Sequence, residues 1–197
     1  MRGRVEEVNL HFACIYLLVL GLASAAPPVP AARFTFDDPG GDALRGNFRY
    51  VEGVSGKAMV FDGFTTVVVR SSAVAPRITN GITVEAWIAP QEYSWNQTAI
   101  VNQETGHADG YCFDLDHEGH IGFSAAVDGK WQSVVSRRKV PLLKWSHVAG
   151  SFDPAEGLAV YIDGRVEARL AVSGKFTPSS AELWLGMSHS RMGVANT

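Results

Sequence analysis

The sequence predicts an all-β fold built from antiparallel hairpins, and two Asp-Gly turns carry that prediction. Asp163-Gly164 separates Leu158–Ile162 from Arg165–Val172, and in both runs apolar residues recur at every second position. Asp128-Gly129 separates a second pair of such runs. Because Asp-Gly accepts the positive φ angles of a type I′ turn, each dipeptide predicts a two-residue hairpin and its register. With no helical period elsewhere, the pattern indicates a two-sheet antiparallel sandwich.

Turn residues delimit the remaining strands at the spacing typical of a sandwich. The predicted strands other than those of the Asp163-Gly164 hairpin are, in order, Arg33–Phe36, Ala58–Phe61, Thr66–Arg70, Ile82–Ile88, Thr98–Gln103, Tyr111–Asp116, Gly119–Val127, Lys130–Arg137, Trp145–Phe152 and Glu182–Gly186.

The first 25 residues have the pattern of a secretory signal peptide. Arginines precede an apolar run from Phe12 to Leu22, and residues 23–25, Ala-Ser-Ala, are the small residues that signal peptidase requires. We expect cleavage after residue 25 and a secreted chain with no membrane-inserted segment after cleavage. An uncleaved membrane anchor is the alternative, because Glu6 and Glu7 reduce the net positive charge of the segment before the apolar run. Residues 26–33 form a proline-rich leader that is unsuited to a central strand.

Charge and length restrict the function classes for residues 34–197. The formal net charge of the full sequence is -3 and is unchanged when residues 1–25 are removed, because they hold two arginines and two glutamates. This charge does not favour nucleic acid or an anionic membrane as partner. The roughly 170 mature residues suffice for one sandwich domain. Of the two cysteines, Cys14 leaves with the signal peptide, so Cys112 has no intramolecular partner and the domain is not held by a disulfide.

Four segments together resemble the laminin G-like and pentraxin-like modules of the concanavalin A-like jelly rolls. They are G-K-A-M-V-F-D-G at 56–63, I-T-V-E-A-W-I-A-P at 82–90, W-S-H-V-A-G-S-F-D at 145–153 and L-A-V-Y-I-D-G-R-V at 158–166. The resemblance implies a jelly-roll sandwich of two stacked antiparallel sheets. It also implies an accessory module of a secreted protein, beside carbohydrate-active or adhesive domains.

One part of the family pattern does not occur in the sequence. In such modules the strand matching Leu183–Gly186 is followed by a loop and a closing strand of the form G-x-I-D-E-V-x-I-Y, which pairs near the first strand. The sequence reaches Thr197 without it. We therefore expect a C-terminally incomplete domain, lacking its closing C-terminal strand, with an unpaired edge beside the N-terminal strand.

Aromatic residues outside the strands are the candidate ligand-binding residues. Tyr93 and Trp95 lie in a polar loop with Asn96 and Gln97, and Trp131 follows a hairpin turn. Sugar rings stack on exposed aromatics while polar neighbours meet the hydroxyls. The alternative is that these rings cover the ends of the core. Trp87, Trp145 and Trp184 lie inside strands and are interpreted as sandwich residues.

An acidic loop and an acidic strand offer two further chemistries. Asp37, Asp38 and Asp42 supply oxygen ligands of the kind that Ca²⁺ prefers, and a solvated turn is the alternative. Asp114, Asp116 and Glu118 occupy alternate positions, an arrangement that resembles the Glu-x-Asp-x-Glu strand of lichenase-type hydrolases. The first residue here is one methylene shorter, and the last stands where the hairpin turns, so we expect no catalytic residue.

The sequence thus favours a secreted, non-catalytic module that binds carbohydrate or another extracellular ligand. Its partners would include downstream domains of the same polypeptide. A glycoside hydrolase of the lichenase-like type and a structural or adhesive spacer are the alternatives.

Overall fold

The computed structural model describes residues 10–18, 30–37, 42–63, 65–95 and 97–188, and only the backbone of residues 10–18. The described residues form strands, turns and bends without a helix, which confirms the all-β prediction. Accordingly, no described helix is long and apolar enough to cross a membrane.

The strands follow one another along the described residues with short connections. They are β1 (Leu10–Leu18), β2 (Ala32–Phe34), β3 (Ala43–Arg45), β4 (Arg49–Glu52), β5 (Lys57–Phe61), β6 (Val67–Arg70), β7 (Ile82–Ala89), β8 (Thr98–Glu104), β9 (Gly110–Leu115), β10 (His120–Val127), β11 (Lys130–Lys139), β12 (Ser146–Asp153), β13 (Gly157–Ile162), β14 (Arg165–Leu170) and β15 (Leu183–Leu185).

These strands form two antiparallel sheets, as the jelly-roll prediction requires. Sheet A has the order β14-β13-β12-β7-β1-β5-β4, and β2 pairs with β1 beside this path. Sheet B has the order β11-β10-β9-β8-β15-β6-β3. Strands that are distant in sequence, such as β7 and β12, are therefore neighbours in a sheet, and their pairing determines which side chains lie together on each face.

The core lies between the sheets and follows the period-two alternation of the strands. Val84, Ala86 and Ile88 of β7 are fully buried, as are Phe113 and Phe123 of sheet B. The valine, isoleucine and phenylalanine side chains each contribute about 1.5 to 3 kcal/mol through removal of apolar surface from water.

The close approach of the two sheets explains a glycine in the middle of β12. A Cβ atom at Gly150 would lie 2.6 Å from the ring of Phe123. Glycine at this position lets the aromatic ring of one sheet lie directly against the backbone of the other.

Both predicted hairpin turns have the geometry of type I′. Asp128 and Gly129 have φ values of 48° and 72°, and Asp163 and Gly164 have values of 51° and 73°. The first turn pairs Val127 with Lys130 and the second pairs Ile162 with Arg165.

One detail of the second hairpin differs from the strict alternation expected from the sequence. Tyr161 lies opposite Val166, as the two-residue turn requires, but the register then shifts by one residue, so Val160 lies opposite Ala168 rather than Glu167. Val166 is 47% exposed, although its position in the pattern predicted an inward side chain. A β-bulge causes the difference, since one extra residue reverses the faces of a strand.

The N-terminal part of sheet A also differs from the expectation. Strands β3 and β4 were not predicted from the sequence. Among the described strands β2 pairs with β1 alone, and the unpaired edge beside the N-terminal strand stays a prediction. Residues 10–18, which include the first part of the apolar run of the predicted signal peptide, lie between β7 and β5 and also pair with β2. A short apolar run suits a buried strand as well as a signal peptide, and periodicity does not separate the two.

Candidate functional site

A band of polar residues occupies the outer face of sheet B. Tyr111, Phe113 and Leu115 of β9 point into the core, so Cys112 and Asp114 lie on the opposite face.

The neighbouring strands continue this polar face at the same level. Cys112 lies opposite Asn102 of β8 and opposite Ser124 of β10. The hydroxyl oxygens of Ser124 and Ser133 are 2.7 Å apart. Four adjacent strands thus present hydroxyl, thiol and amide groups side by side, a surface rich in hydrogen-bond donors and acceptors.

Asp114 is a deeply buried carboxylate near the middle of this face, 2% exposed. Its carboxylate lies over Gly122, where an added Cβ would collide with it, and it accepts a hydrogen bond from the thiol of Cys112 at 3.6 Å. Burial raises the pKa of Asp114 to about 6, although hydrogen bonds from Gln97 and Cys112 oppose the rise. Burial, reinforced by the charge of Asp114, raises the pKa of the Cys112 thiol. At neutral pH Cys112 therefore stays a neutral donor to the carboxylate.

The face ends in a carboxylate and a pair of stacked rings, which we call the Trp131 end. Glu104, the last residue of β8, is 1% exposed. One of its oxygens accepts the amide of His107 at 2.8 Å, whereas Oε1 has no hydrogen-bond partner among the described residues. The exposed His107 ring stacks on Trp131 with the centroids 4.9 Å apart and the planes at 25°.

The residues between Glu104 and Trp131 are small. Gly110 lies opposite Glu104, and Ala126 lies opposite Trp131. The buried carboxylate of Glu104 and the half-buried indole of Trp131 therefore lie on either side of a part of the sheet that has only small side chains. The loop that carries His107 connects the two. This arrangement offers both a stacking surface and a charged hydrogen-bond acceptor.

The three aromatic residues predicted to bind a ligand do not lie together. The hydroxyl of Tyr93 donates a hydrogen bond of 2.6 Å to the carbonyl oxygen of Val140, and its ring covers Gly119, just before β10 begins. Trp131 lies opposite Ala126, near the other end of β10, roughly 20 Å away along the strand. Trp95 is 75% exposed in the loop next to Tyr93. The structure therefore offers two separate aromatic positions, and ligand binding by any of them stays a prediction.

The acidic triplet of the hydrolase alternative does not form one face. Strand β9 ends at Leu115, and Asp116 accepts the amides of Glu118 and His120 at 2.8 Å each. Burial alone would raise the pKa of Asp116, but these amides and the imidazole of His120 lower it. Glu118 is exposed in the turn. Only Asp114 remains on the outer face of sheet B, because the turn redirects the chain two residues after it.

The loop carboxylates predicted to bind calcium have protein partners. Asp42 accepts hydrogen bonds of 2.9 and 2.7 Å from the guanidinium of Arg70, and Asp37 accepts the amide of Lys57 at 2.7 Å. Asp38 lies outside the described residues, as does Asn96. In the described ranges no three His, Cys, Asp or Glu side chains form a group able to hold a metal ion. A calcium ion would compete with Arg70 for Asp42, and calcium binding stays a prediction.

Of the three tryptophans interpreted as sandwich residues, Trp87 and Trp184 lie in strands but outside the main core, and Trp145 immediately precedes β12. Trp87 projects from sheet A and contacts the His147 ring, with the centroids 5.4 Å apart. Trp184 packs with Val67 and Val69 in a separate cluster, on the outer face of sheet B. The alternation of side chains along β7 predicts the outward position of Trp87, because Ala86 and Ile88 point inward and Trp87 lies between them. Parity also places Asn102 and Glu104 on the outer face, a feature the sequence analysis missed.

Comparison with known proteins identifies the fold. A sequence profile of the laminin G type, described as the concanavalin A-like lectin/glucanases superfamily, matches residues 61–195, more than half of the chain. No curated protein sequence matches.

Solved structures with a similar fold include a domain of an arabinanase and two binding domains. Domain 4 of AbnA, an extracellular GH43 arabinanase from Geobacillus stearothermophilus in complex with arabinotriose, is 22% identical with a TM-score of 0.55, over 73% of this chain and 68% of that chain. The binding domain of Paraclostridial Mosquitocidal Protein 1 is 13% identical with a TM-score of 0.60, over 90% and 44% of the two chains. The botulinum neurotoxin serotype G binding domain is 11% identical with a TM-score of 0.55, over 74% and 39%. The chain spans less than half of either toxin domain, and identities this low show the fold alone.

Proposed function

The chain belongs to the laminin G-like family of the concanavalin A-like lectin/glucanases superfamily, and on that premise we propose that it is a carbohydrate-binding module. The proposed site is the Trp131 end of the outer face of sheet B. The observation that carries the proposal is the buried carboxylate of Glu104, whose Oε1 lacks a hydrogen-bond partner among the described residues. A buried acceptor without a partner is costly. Because Glu104 is 1% exposed, a ligand hydroxyl removes that cost only when the groups around the carboxylate move to admit it.

The stacked rings supply the second element of a sugar site. Trp131 and His107 offer an aromatic surface beside the carboxylate, and the apolar face of a pyranose or furanose ring packs on such surfaces. Ser124 and Ser133 continue the face with hydroxyl groups. The structural relative bound to arabinotriose makes arabino-oligosaccharides the first ligands to test.

Secretion and an accessory role belong to the same proposal. The signal-like residues 1–25 support export, and the arabinanase domain among the structural relatives supports a place beside a catalytic domain. A sugar-binding module in such a protein raises the local concentration of substrate for its neighbour.

We do not extend the proposal to hydrolysis. Retaining glycosidases hold two carboxyl groups about 5 to 5.5 Å apart, and inverting ones about 6.5 to 9.5 Å apart. Glu104 lies opposite Gly110, four residues from Asp114 along β9, so the two carboxylates of this face are roughly 13 Å apart.

The test measures binding and stability in the same variants. Arabinotriose and a glycan array provide the ligands, and titration calorimetry provides affinities. We expect Trp131→Ala and Glu104→Gln each to weaken binding by about tenfold or more, which corresponds to loss of about 1.4 kcal/mol. Trp95→Ala, a matched change at the other end of β10, should leave affinity unchanged. Full affinity in both Trp131→Ala and Glu104→Gln would refute this site, and a folded domain that binds no glycan would favour the spacer alternative.

A further inference from the structure

Strand β1 occupies an interior position in sheet A. It pairs with β7 at seven positions, from His11 opposite Ala89 to Leu18 opposite Thr83. It also pairs with β5 and with β2, at three positions each. Since β5 and β7 have β1 between them in the strand order, this segment is the only one of the described strands that joins the two parts of the sheet.

The same segment lies within the predicted signal peptide and overlaps its apolar run, Phe12 to Leu22. Cleavage after residue 25 would remove β1 from the chain, and β2 would lose the strand with which it pairs. The edges of β5 and β7 that face β1 would then have no strand to pair with. These edges border the core, because the inward side chains of β7 are fully buried. A long, flat edge of this kind is a template for another strand, because unpaired amides and carbonyls are costly when buried.

We propose that the position between β5 and β7 is a strand-acceptor groove, which binds an extended polypeptide segment once residues 1–25 have been removed. The groove is one strand wide, about 10 Å between its two flanking strands. Its polarity is defined, because β1 runs antiparallel to both β5 and β7. Main-chain hydrogen bonds to both edges supply the affinity.

The register also defines the chemistry of the occupant. Directly opposite residues share a face of the sheet, and the positions opposite Val84 and Ile88 are those of Leu17 and Phe12. Both β7 residues are fully buried, so the occupant needs apolar residues at these positions. One bulge is accommodated, between Ala13 and Ile15. The occupant is therefore an extended segment of about nine residues with apolar residues on one face, and residues 10–18 are its first example.

The experiment uses the full chain, expressed without export so that residues 1–25 remain. A site-specific protease sequence inserted between residues 25 and 26 allows the purified, folded protein to be cut in solution. We expect the released fragment to stay with the domain in a one-to-one complex on size-exclusion chromatography. A labelled peptide of residues 10–18 should exchange into the complex. A scrambled peptide and one carrying Ile15→Pro should bind at least about tenfold more weakly, because proline removes a ladder hydrogen bond.

Two outcomes would overturn the proposal. The first is release of the fragment from a domain that stays soluble and keeps its hydrogen-exchange protection at residues 57–61 and 82–89. The second is precipitation after release that excess peptide does not prevent. Solubility kept by the native peptide and not by the scrambled one supports the groove.

Hydrogen exchange on the uncut chain gives a second, independent readout. Ile15→Pro in the full chain should speed exchange at 57–61 and 82–89, while residues 122–135 of sheet B keep their rates. Equal rates at 57–61 and 82–89 with and without the proline would show that the position is not filled by a strand. None of these measurements depends on sugar binding, so the proposal fails or stands separately from the proposed function.

Discussion

Tyr93 and Trp131 lie at opposite ends of β10, and the protein uses the two rings differently. Tyr93 covers Gly119 and donates its hydroxyl hydrogen to the carbonyl oxygen of Val140, so both its ring and its polar group are committed to the chain itself. Trp131 stacks on an exposed histidine near a buried carboxylate. An aromatic residue next to a turn is therefore a binding candidate only when its contacts leave a face and a polar neighbour for a ligand.

The largest expected effect is at the Tyr93 end. Tyr93→Ala removes the ring from the edge of the core and deprives Val140 of its hydrogen bond, and should lower the free energy of unfolding by about 3 kcal/mol. Tyr93→Phe retains the packing and should cost about 1 kcal/mol. Denaturant titration of both variants beside Trp131→Ala measures the difference. If Trp131→Ala costs as much as Tyr93→Ala, the two ends do not differ in the way described.

Asp114, in the middle of the face, should link stability to pH. Its pKa is raised to about 6 by burial, whereas an unfolded aspartate has a pKa of about 4. The folded state therefore holds the proton more tightly, so the stabilisation is complete below about pH 4 and is lost as pH rises through about 6. We expect a loss of roughly 2 to 3 kcal/mol across that window.

A substitution isolates this effect from other titrating groups. The free energy of unfolding is measured by denaturant titration at several pH values. In Asp114→Asn it should not fall as the pH rises. In Glu118→Gln, a change at an exposed turn residue, it should depend on pH as it does in the unmodified protein. Parallel profiles for Asp114→Asn and the unmodified protein between pH 4 and 7 would contradict the assignment.

The smallest expected effect compares two glycines at the two ends of β10. Gly119 and Gly129 both have positive φ angles, 95° and 72°, so alanine is strained at either position by about 1 kcal/mol. At Gly119 the added Cβ also collides with the Tyr93 ring, whereas at Gly129 nothing lies within 4 Å. Gly119→Ala should therefore be more destabilising than Gly129→Ala, by about 1 kcal/mol or more. Equal unfolding midpoints would show that Tyr93 is not held against the turn.

Much of the fold could be predicted because its signals are local. The Asp-Gly turns require positive φ angles that other dipeptides rarely adopt, so each hairpin and its pairing follow from a few residues. The short strands β3 and β4 have no comparable signal. Ala43–Arg45 and Arg49–Glu52 are only three and four residues long and have no buried residue, and they pair with β6 and β5.

The candidate site was predictable only in part. Trp131 was identified from its position after a turn, whereas Glu104 and Asn102 looked like ordinary polar residues at the end of a strand. Their burial depends on which strands and loops surround them, and the stacking of His107 on Trp131 joins residues from two different hairpins. Parity along a strand predicts the face on which a residue lies, but not what lies opposite it on that face.

The sequence by itself determined the all-β class, the two type I′ hairpins and most strand bounds, because turn chemistry and period-two alternation act over a few neighbouring residues. Tertiary structure decided that Tyr93 and Trp131 lie far apart, that Glu104 is buried beside stacked rings, and that residues 10–18 fill an interior position of sheet A. Each of these features requires strands distant in sequence to pair. Pairing between distant strands depends on the complementarity of whole sheets and not on any single segment.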